Sequence, residues 1–409
     1  VLARPRLPAQ ISPDLARSTS VVQQAKTIAQ ANVLAGLEPR QLADGTQKWI
    51  LCAGLRNFRE PWARDTGFAT FGLLEFADPE IIRDTLEVFL LTQAEDGQFP
   101  VKIHSTHMLD RYFHSLFGRQ QPVHKPIQPK FLSAHKTVSL DGTALIIIAI
   151  LAYVERTGDL DFARQHWSAL RRAARWLESH ADPEDGLVVQ GPYGDWADSI
   201  ARGGKVHYTN VLYWRSLDRL KETARVLARR TDQQHFAQAC RQAASAIQEH
   251  FWQPDLGYFV TSSEFANLSS CGNLLAVAWE LAGPEQADQV LDRIQAFGMA
   301  DPVPTQPAYP HYPREKVAFE NRLGGVAGYH MDHAWLWLGA WHVIALKRRQ
   351  RLAEAEHLLH KMARTIVRDG EVHEVYTPEG SFASTFWYTS EAPLTWSAAM
   401  FIHAAEALA

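Results

Sequence analysis

The sequence predicts an all-α protein, an (α/α)6 barrel of six inner and six outer helices with its working site in the long loops at one end. Three observations carry that expectation. Helix-start signals and helical apolar spacing recur along the whole chain. No strand-rich block competes with them. The connections alternate between tight and long.

Taken in order, the first helix is expected over 12–34, opening where Ser12 precedes Pro13. Helices at 65–76 and 79–93 follow, the second of them starting at Asp78-Pro79. The helix at 140–156 contains the longest apolar run, "ALIIIAILAY" at 144–153, about half of what a bilayer span requires, so it reads as buried. In the helix at 160–181, Phe162, Trp167, Leu170, Ala174 and Leu177 share one face. Helices at 207–230, 232–252, 268–282, 284–297 (after Gly283-Pro284), 329–347, 350–368 and 390–408 complete about twelve. Short extended pieces, "KWILCAGL" at 48–55 and "GYFVTSS" at 257–263, lie between them.

The loops order these helices. "FADP", "RTGD", "RRTD", "LAGP" and "KRRQ" are tight links that make antiparallel pairs. The intervening links run to roughly 15–45 residues. With antiparallel helices alternating, every long loop emerges at the same end, and such loops on a rigid scaffold are where function concentrates. One domain is expected over 1–409, with a loop insertion at about 104–135 rich in His and Pro.

Composition excludes several classes. The net charge of −4 offers no basic field for nucleic acid or an anionic membrane. Cys52, Cys240 and Cys271 are scattered and odd in number, with no disulfide or zinc spacing, which suits a reducing, cytoplasmic compartment. The opening "VLARPRLPAQ" carries no signal-peptide pattern. Thirteen Trp and 18 His are high counts. The Trp fit a packed helical core first and sugar stacking second.

Polar motifs fall in the long loops: "REPWARDTGF" (59–68), "EDGQFPVKIH" (95–104), "YGDWADSIARGGK" (193–205), "GGVAGYHMDHAWLW" (324–337), "EVHEVYTPEG" (371–380) and "SEAPLTWSAA" (390–399). Glycoside hydrolysis needs a protonated carboxylic acid for the leaving oxygen and a second carboxylate, which in inverting enzymes stands about 6.5–9.5 Å away to admit water. Asp198 or Asp195 is the first candidate; Glu374 or Glu371 is the second. The bland readings are a turn-forming Asp, an Arg64–Asp65 ion pair, and solvated Glu371 and Glu374. Trp335 and Trp337 read as part core, part pocket wall. His330, Asp332 and His333, like His104 and His107, lack third and fourth ligands, and on a helix they would not all point one way. No metal is expected. Neither a phosphate-cradling glycine loop nor a G-x-S-x-G elbow is present.

In their order, "PWARDTGFATFGLL", "GDWADSI…VHYTNVLYW", "YHMDHAWLWLGAW" and "EVY…G…TWSAA" resemble an inverting α/α-barrel glycosidase superfamily. It includes the amylo-α-1,6-glucosidase domain of glycogen debranching enzymes, alkaline/neutral invertases and trehalases. The resemblance runs from about Arg59 to the end of the sequence. It implies that Asp198, in Trp196-Ala197-Asp198, is the acid, and that Glu374, in Glu374-Val375-Tyr376, is the base. It further implies that Arg64 and Asp65 hold the sugar, that Asp195 supports the acid, and that Trp196 walls the subsite. Trp62, Asn210, Tyr329, His330, Trp335 and Tyr376 are further substrate-binding candidates. The segment 104–135 matches none of that superfamily's motifs, and a debranching enzyme's transferase region is missing.

The expectation is therefore a cofactor-free inverting glycoside hydrolase acting on an α-glucoside, with a small carbohydrate as partner and homo-oligomerisation left open. Sucrose cleavage is the nearest rival. A sugar epimerase or isomerase working through paired histidines, or a catalytically dead sugar-binding protein, are the other classes.

Overall fold

The computed structural model describes residues 20–104, 119, 123 and 127–409. Within them lie thirteen α-helices. In chain order they are α1 (Val21–Gly36), α2 (Ala63–Phe76), α3 (Pro79–Leu91), α4 (Leu140–Thr157), α5 (Leu160–Glu178), α6 (His207–Val226) and α7 (Arg230–Phe251). The rest are α8 (Ser270–Ala278), α9 (Pro284–Ala296), the short α10 (Phe319–Leu323), α11 (Leu336–Arg348), α12 (Leu352–Asp369) and α13 (Thr395–Leu408).

Helices α2, α4, α6, α8, α11 and α13 contact one another in sequence, and α13 returns to α2, closing a ring. Helices α1, α3, α5, α7, α9 and α12 pack outside it. This is the (α/α)6 barrel expected from the alternating loops. Burial follows the layers. Inner α4 buries fourteen of eighteen residues, including the whole run from Leu140 to Leu151. Outer α5 buries nine of nineteen, with Phe162, Trp167, Leu170, Ala174 and Leu177 among them. An inner helix has neighbours on all sides and tolerates apolar residues all round, whereas an outer one needs a single stripe.

Several boundaries differ from the sequence expectation. The described part of the first helix begins after Ser20, whose hydroxyl accepts from the Gln23 amide at 3.2 Å; positions 12–19 of that expected helix lie outside the described residues. Residues 329–335 and 390–394 are turns and extended backbone, not the first turns of α11 and α13. At the first of these, a Cβ on Gly328 would stand 1.9 Å from the Asp332 carboxylate, so the chain folds back on itself there instead of winding up. His330, Asp332 and His333 therefore do not share a helix, as expected, but a tight turn. Extended backbone is also more frequent than expected. Among the described residues four two-stranded antiparallel ribbons occur, the longest pairing β1 (Leu37–Gln41) with β2 (Gln47–Leu51).

The N-terminal ends of the inner helices all point to one mouth. Arg64 and Asp65 sit in the first turn of α2, Asp141 in that of α4, and Trp396 in that of α13. Helix N-termini carry partial positive charge, so a cluster of carboxylates is tolerated at this end of the barrel.

Candidate active site

A pocket of about 110 Å³ opens at the mouth. Trp62, Arg64, Asp65, Trp196, Asp198, Tyr329, His330, Trp335 and Glu374 line it, joined by Ala53, Phe58, Leu394 and Trp396. Its floor is a continuous aromatic cluster. Trp196 meets His330, Trp335 and Trp337 edge-on at 4.8, 5.6 and 4.9 Å, and Trp337 stacks on Trp396 at 4.8 Å. The Trp196 indole donates to Cys271 Sγ at 3.0 Å, and the Trp335 indole to the Tyr329 carbonyl at 2.9 Å. These polar anchors orient the rings, so the faces offered to the pocket are preset.

The loop "YGDWADSI" divides its two aspartates sharply. Asp195 is fully buried. It accepts from Arg202 Nε at 3.0 and 3.2 Å and Nη2 at 2.9 Å, from Gln190 at 2.9 Å and from the Ala197 amide at 2.8 Å. Every lone pair is taken, and it does not line the pocket. Gly194 is required beside it, because a Cβ there would lie 2.7 Å from the Gly191 carbonyl oxygen. Three residues on, Asp198 turns into the pocket with its side chain 44% exposed. Its one ion-pair contact among the described residues is Arg64 Nη1 at 3.8 Å. Enclosure by protein, with Asp195 and Asp141 nearby, outweighs Arg64 and His135 and pushes its pKa up to about 6.

Arg64 is not paired with its sequence neighbour. Its Nε donates to Asp141 at 2.8 Å and its Nη2 reaches Ser139 Oγ at 3.4 Å. Asp141 is in turn held by the Ser139 hydroxyl and by the Gly142 amide at 2.8 Å. Asp65 is thus held by no side chain among the described residues, its own backbone amide being its hydrogen-bond donor. Burial raises its pKa to about 7 against the pull of Arg64, with Glu374 and Asp198 adding to the rise.

Glu374, also lining the pocket, is 4% exposed and fully dressed. Tyr329 donates its hydroxyl to Oε1. Tyr388 donates to Oε2 at 2.7 Å, and the Glu391 amide follows at 3.3 Å. Burial raises its pKa; the two phenols pull it back, and the Glu391 charge pushes it up again. Glu391 is itself cradled by the amides of Leu55, Arg56 and Asn57 at 2.9, 2.7 and 2.9 Å. The two walls are linked. Ser199, next to Asp198, donates from its amide to His330 Nδ1 at 3.4 Å, and its hydroxyl lies 2.7 Å from the same nitrogen. Nδ1 therefore accepts, and Nε2 carries the ring proton. Burial holds His330 neutral, its pKa well below the usual value.

The structure brings together ten of the twelve expected site residues at the pocket or directly behind it. Two stand apart. Asn210 is buried and spends its amide on the Val188 amide and carbonyl at 2.8 and 3.1 Å and on the Val206 carbonyl at 3.0 Å. Tyr376 is buried, bridges to Ala334 through backbone, and accepts the His373 amide at 3.3 Å, which shapes the turn that carries Glu374. Both act on backbone and do not face the pocket. Glu371 is exposed and lines nothing. Sequence reasoning missed Asp141, Arg202, Tyr388 and Glu391: Arg202 and Glu391 lie within motifs already singled out, but the partner each of the four holds is set by the tertiary fold. Among the described residues no group of three or more His, Cys, Asp or Glu is arranged to hold a metal. No described helix is long and apolar enough to cross a membrane. His107 and most of the 104–135 insertion lie outside the described residues; its far end, His135, stacks on Tyr193 at 4.2 Å and lies 3.3 Å from Glu320.

A family model described as the bacterial alpha-L-rhamnosidase 6 hairpin glycosidase domain matches residues 92–298. No curated protein matches the chain by sequence. Among solved structures, a rhamnosidase from Klebsiella oxytoca with rhamnose bound superposes with a TM-score of 0.67 at 17% identity, over 95% of this chain. The chain spans 63% of that protein's length. A family-63 mannosylglycerate hydrolase from Thermus thermophilus, solved with Tris, gives a TM-score of 0.67 at 14% identity over 94% of this chain and 99% of the other. A glycosidase variant in complex with glucose gives 0.65 at 14% identity over 98% and 99%. At these identities the superpositions establish the fold alone.

Proposed function

The chain belongs to the bacterial α-L-rhamnosidase six-hairpin glycosidase family and is a glycoside hydrolase of the (α/α)6 superfamily; from that premise we propose that it cleaves small α-glycosides with inversion, Asp198 serving as acid and Glu374 as base. The observation that supports this is that two carboxylates in unlike surroundings line one tryptophan-walled pocket. Asp198 is open, proton-holding up to about pH 6, and free of strong donors, as a group that must reach a leaving oxygen requires. Glu374 is fixed by two phenols and an amide, as a group that must aim one water requires. Asp65, with no side-chain donor among the described residues, accepts from sugar hydroxyls, while His330 Nε2–H supplies a neutral donor. The tryptophan faces take the apolar side of the ring.

Glucose is the first glycone proposed, on the motif resemblance and on the neighbour that holds glucose. L-Rhamnose is the second, favoured by the family model. An isomerase working through paired histidines is disfavoured, since His330 is the sole histidine among the described residues lining the pocket and its Nδ1 is spent on Ser199. The three buried free cysteines fit the cytoplasmic compartment proposed for it.

The test is proton NMR of fresh reaction mixtures over a panel of α-glucosides, α-mannosides and α-L-rhamnosides, with sucrose, trehalose, isomaltose, glucosylglycerate and mannosylglycerate included. A β-anomer released first from an α-glycoside is expected. An α-anomer first would contradict inversion, and turnover of free sugars without hydrolysis would return the function to the histidine.

A further inference from the structure

The four most exposed large apolar side chains among the described residues are Phe386, Trp387, Phe319 and Leu323, at 86, 68, 67 and 67%. Single exposed apolar residues need no explanation, but clustered ones do. These four occupy two short segments, and both segments are tied to the carboxylate walls. Phe319 and Leu323 stand at i and i+4 on α10, hence on one face. Helix α10 has no buried residue, so no core holds it. It hangs from its ends like a strap. Before it, the Ala318 amide donates to the Ser199 carbonyl at 2.7 Å, one residue from Asp198. After it, the Gly324 carbonyl accepts from the Thr385 hydroxyl at 2.8 Å.

Thr385 opens the turn that carries the other pair. Its amide donates to the Tyr388 carbonyl at 2.6 Å, and its hydroxyl accepts from the Tyr388 amide at 3.0 Å. Phe386 and Trp387 form the tip, their rings crossed edge to face at 4.7 Å. Tyr388 closes the turn and holds Glu374. The strap thus runs from the segment that carries Asp198 to the turn that holds Glu374, and the four exposed side chains belong to these tethered segments.

We propose that this strap and turn form the leaving-group subsite, and that it takes aglycones presenting a flat apolar face, either an aryl group or the C–H face of a further sugar. The proposal rests on the glycosidase reading above. A carboxylate-bearing aglycone would ask for a free cation beside Asp198, but the cation there, Arg64, is already spent on Asp141. A protein partner is disfavoured on size, because four side chains fall well short of the roughly 800 Å² per partner of a stable interface.

The test compares methyl and phenyl glycosides, and a disaccharide, of whichever glycone the panel above selects. The wild type is set against Phe386→Ser/Trp387→Ser and, separately, Phe319→Ser/Leu323→Ser, which remove surface side chains and leave the core untouched. The wild-type phenyl-to-methyl ratio of kcat/KM is expected to fall about 10-fold in each double variant, in line with the worth of an aromatic stack. A parallel fall for the disaccharide extends the subsite to sugars; a fall confined to the phenyl glycoside assigns it to aryl groups. A second readout is independent of turnover. In Asp198→Asn labelled with 5-fluorotryptophan, the resonance assigned to Trp387 by Trp387→Phe should shift with phenyl and not with methyl glycoside. An unchanged ratio and an unmoved resonance would overturn the proposal while leaving the glycosidase intact. Concentration-dependent self-association lost in the same variants, with the ratio unchanged, would give the patch to a second copy and also overturn it. Failure of every glycone, methyl or phenyl, to bind or turn over would instead remove the glycosidase reading on which it rests.

Discussion

The two walls of the pocket use the same functional group in opposite ways. On one wall Asp198 faces solvent with a single guanidinium at 3.8 Å. On the other Glu374 is sealed in and accepts from Tyr329, Tyr388 and the Glu391 amide. The difference teaches that the surroundings, not the carboxyl group, divide the labour. In the proposed reaction, the group that gives a proton to the substrate oxygen is the one left without competing donors. A group that must hold one direction is bound by several.

The largest effects should come from removing either carboxylate, and they should be distinguishable. Asp198→Asn and Glu374→Gln are each expected to lower kcat by about 10³-fold or more. A glycosyl fluoride, whose leaving group needs little protonation, should recover much of the loss in Asp198→Asn and none of it in Glu374→Gln. Equal recovery in both would break the assignment. Next in size is Arg202→Met. It leaves the Asp195 charge buried and unpaired, at a cost of about 3–5 kcal/mol. Thermal unfolding should show a large drop in Tm, whereas Asp198→Asn should leave Tm close to the wild type. That contrast would confirm in solution that the aspartates three residues apart are, respectively, structural and open.

Smaller still is Tyr388→Phe. The phenol stabilises the charged form of Glu374, so its loss should raise the Glu374 pKa further and move the acid limb of kcat/KM to higher pH, with a fall of about 10-fold in kcat. An unshifted limb would show that Tyr388 only packs. The smallest effect concerns Asp65. Its folded pKa of about 7 lies above the ordinary 3.8, so the folded state holds its proton more tightly than the unfolded chain does. Stability is therefore lost as pH rises from about 4 through 7. Asp65→Asn should raise Tm by roughly 1–3 °C at pH 8, with the gain vanishing near pH 4. A gain that persists at pH 4 would point to some other cause.

The barrel was legible because its two signals are local. Helical spacing marked α4 and α5, and short links such as "RTGD" turned each pair antiparallel. The mouth was legible for the same reason, since long loops of a closed ring must share an end. The ribbons were less legible: β1, "LEPRQ", carries no alternation to announce it, and its pairing with β2 is a tertiary fact. The starts of α11 and α13 were misplaced because apolar, helix-compatible residues precede both, while packing around Gly328 decides the first. At the site, the acids and rings were visible as residue types. What separated Asp195 from Asp198 was Arg202, seven positions on, folding back beneath the loop. What dressed Glu374 was Tyr388, from a turn with no motif of its own. Arg64 found Asp141, 77 positions away, in preference to its neighbour.

The ring closes through contacts between the two ends of the described chain, and this sets an order in time. Glu391 docks on the amides of residues 55–57 across 334 to 336 positions, and α13 must settle against α2 before either has its full set of neighbours. During synthesis the first inner helix emerges long before the last, with an apolar flank still waiting for its partner. The pocket comes into being only when residues 374–396 have been made. A ribosome that stalls earlier leaves a chain with Asp198 but without Glu374, and with an exposed seam that invites aggregation or capture by a chaperone.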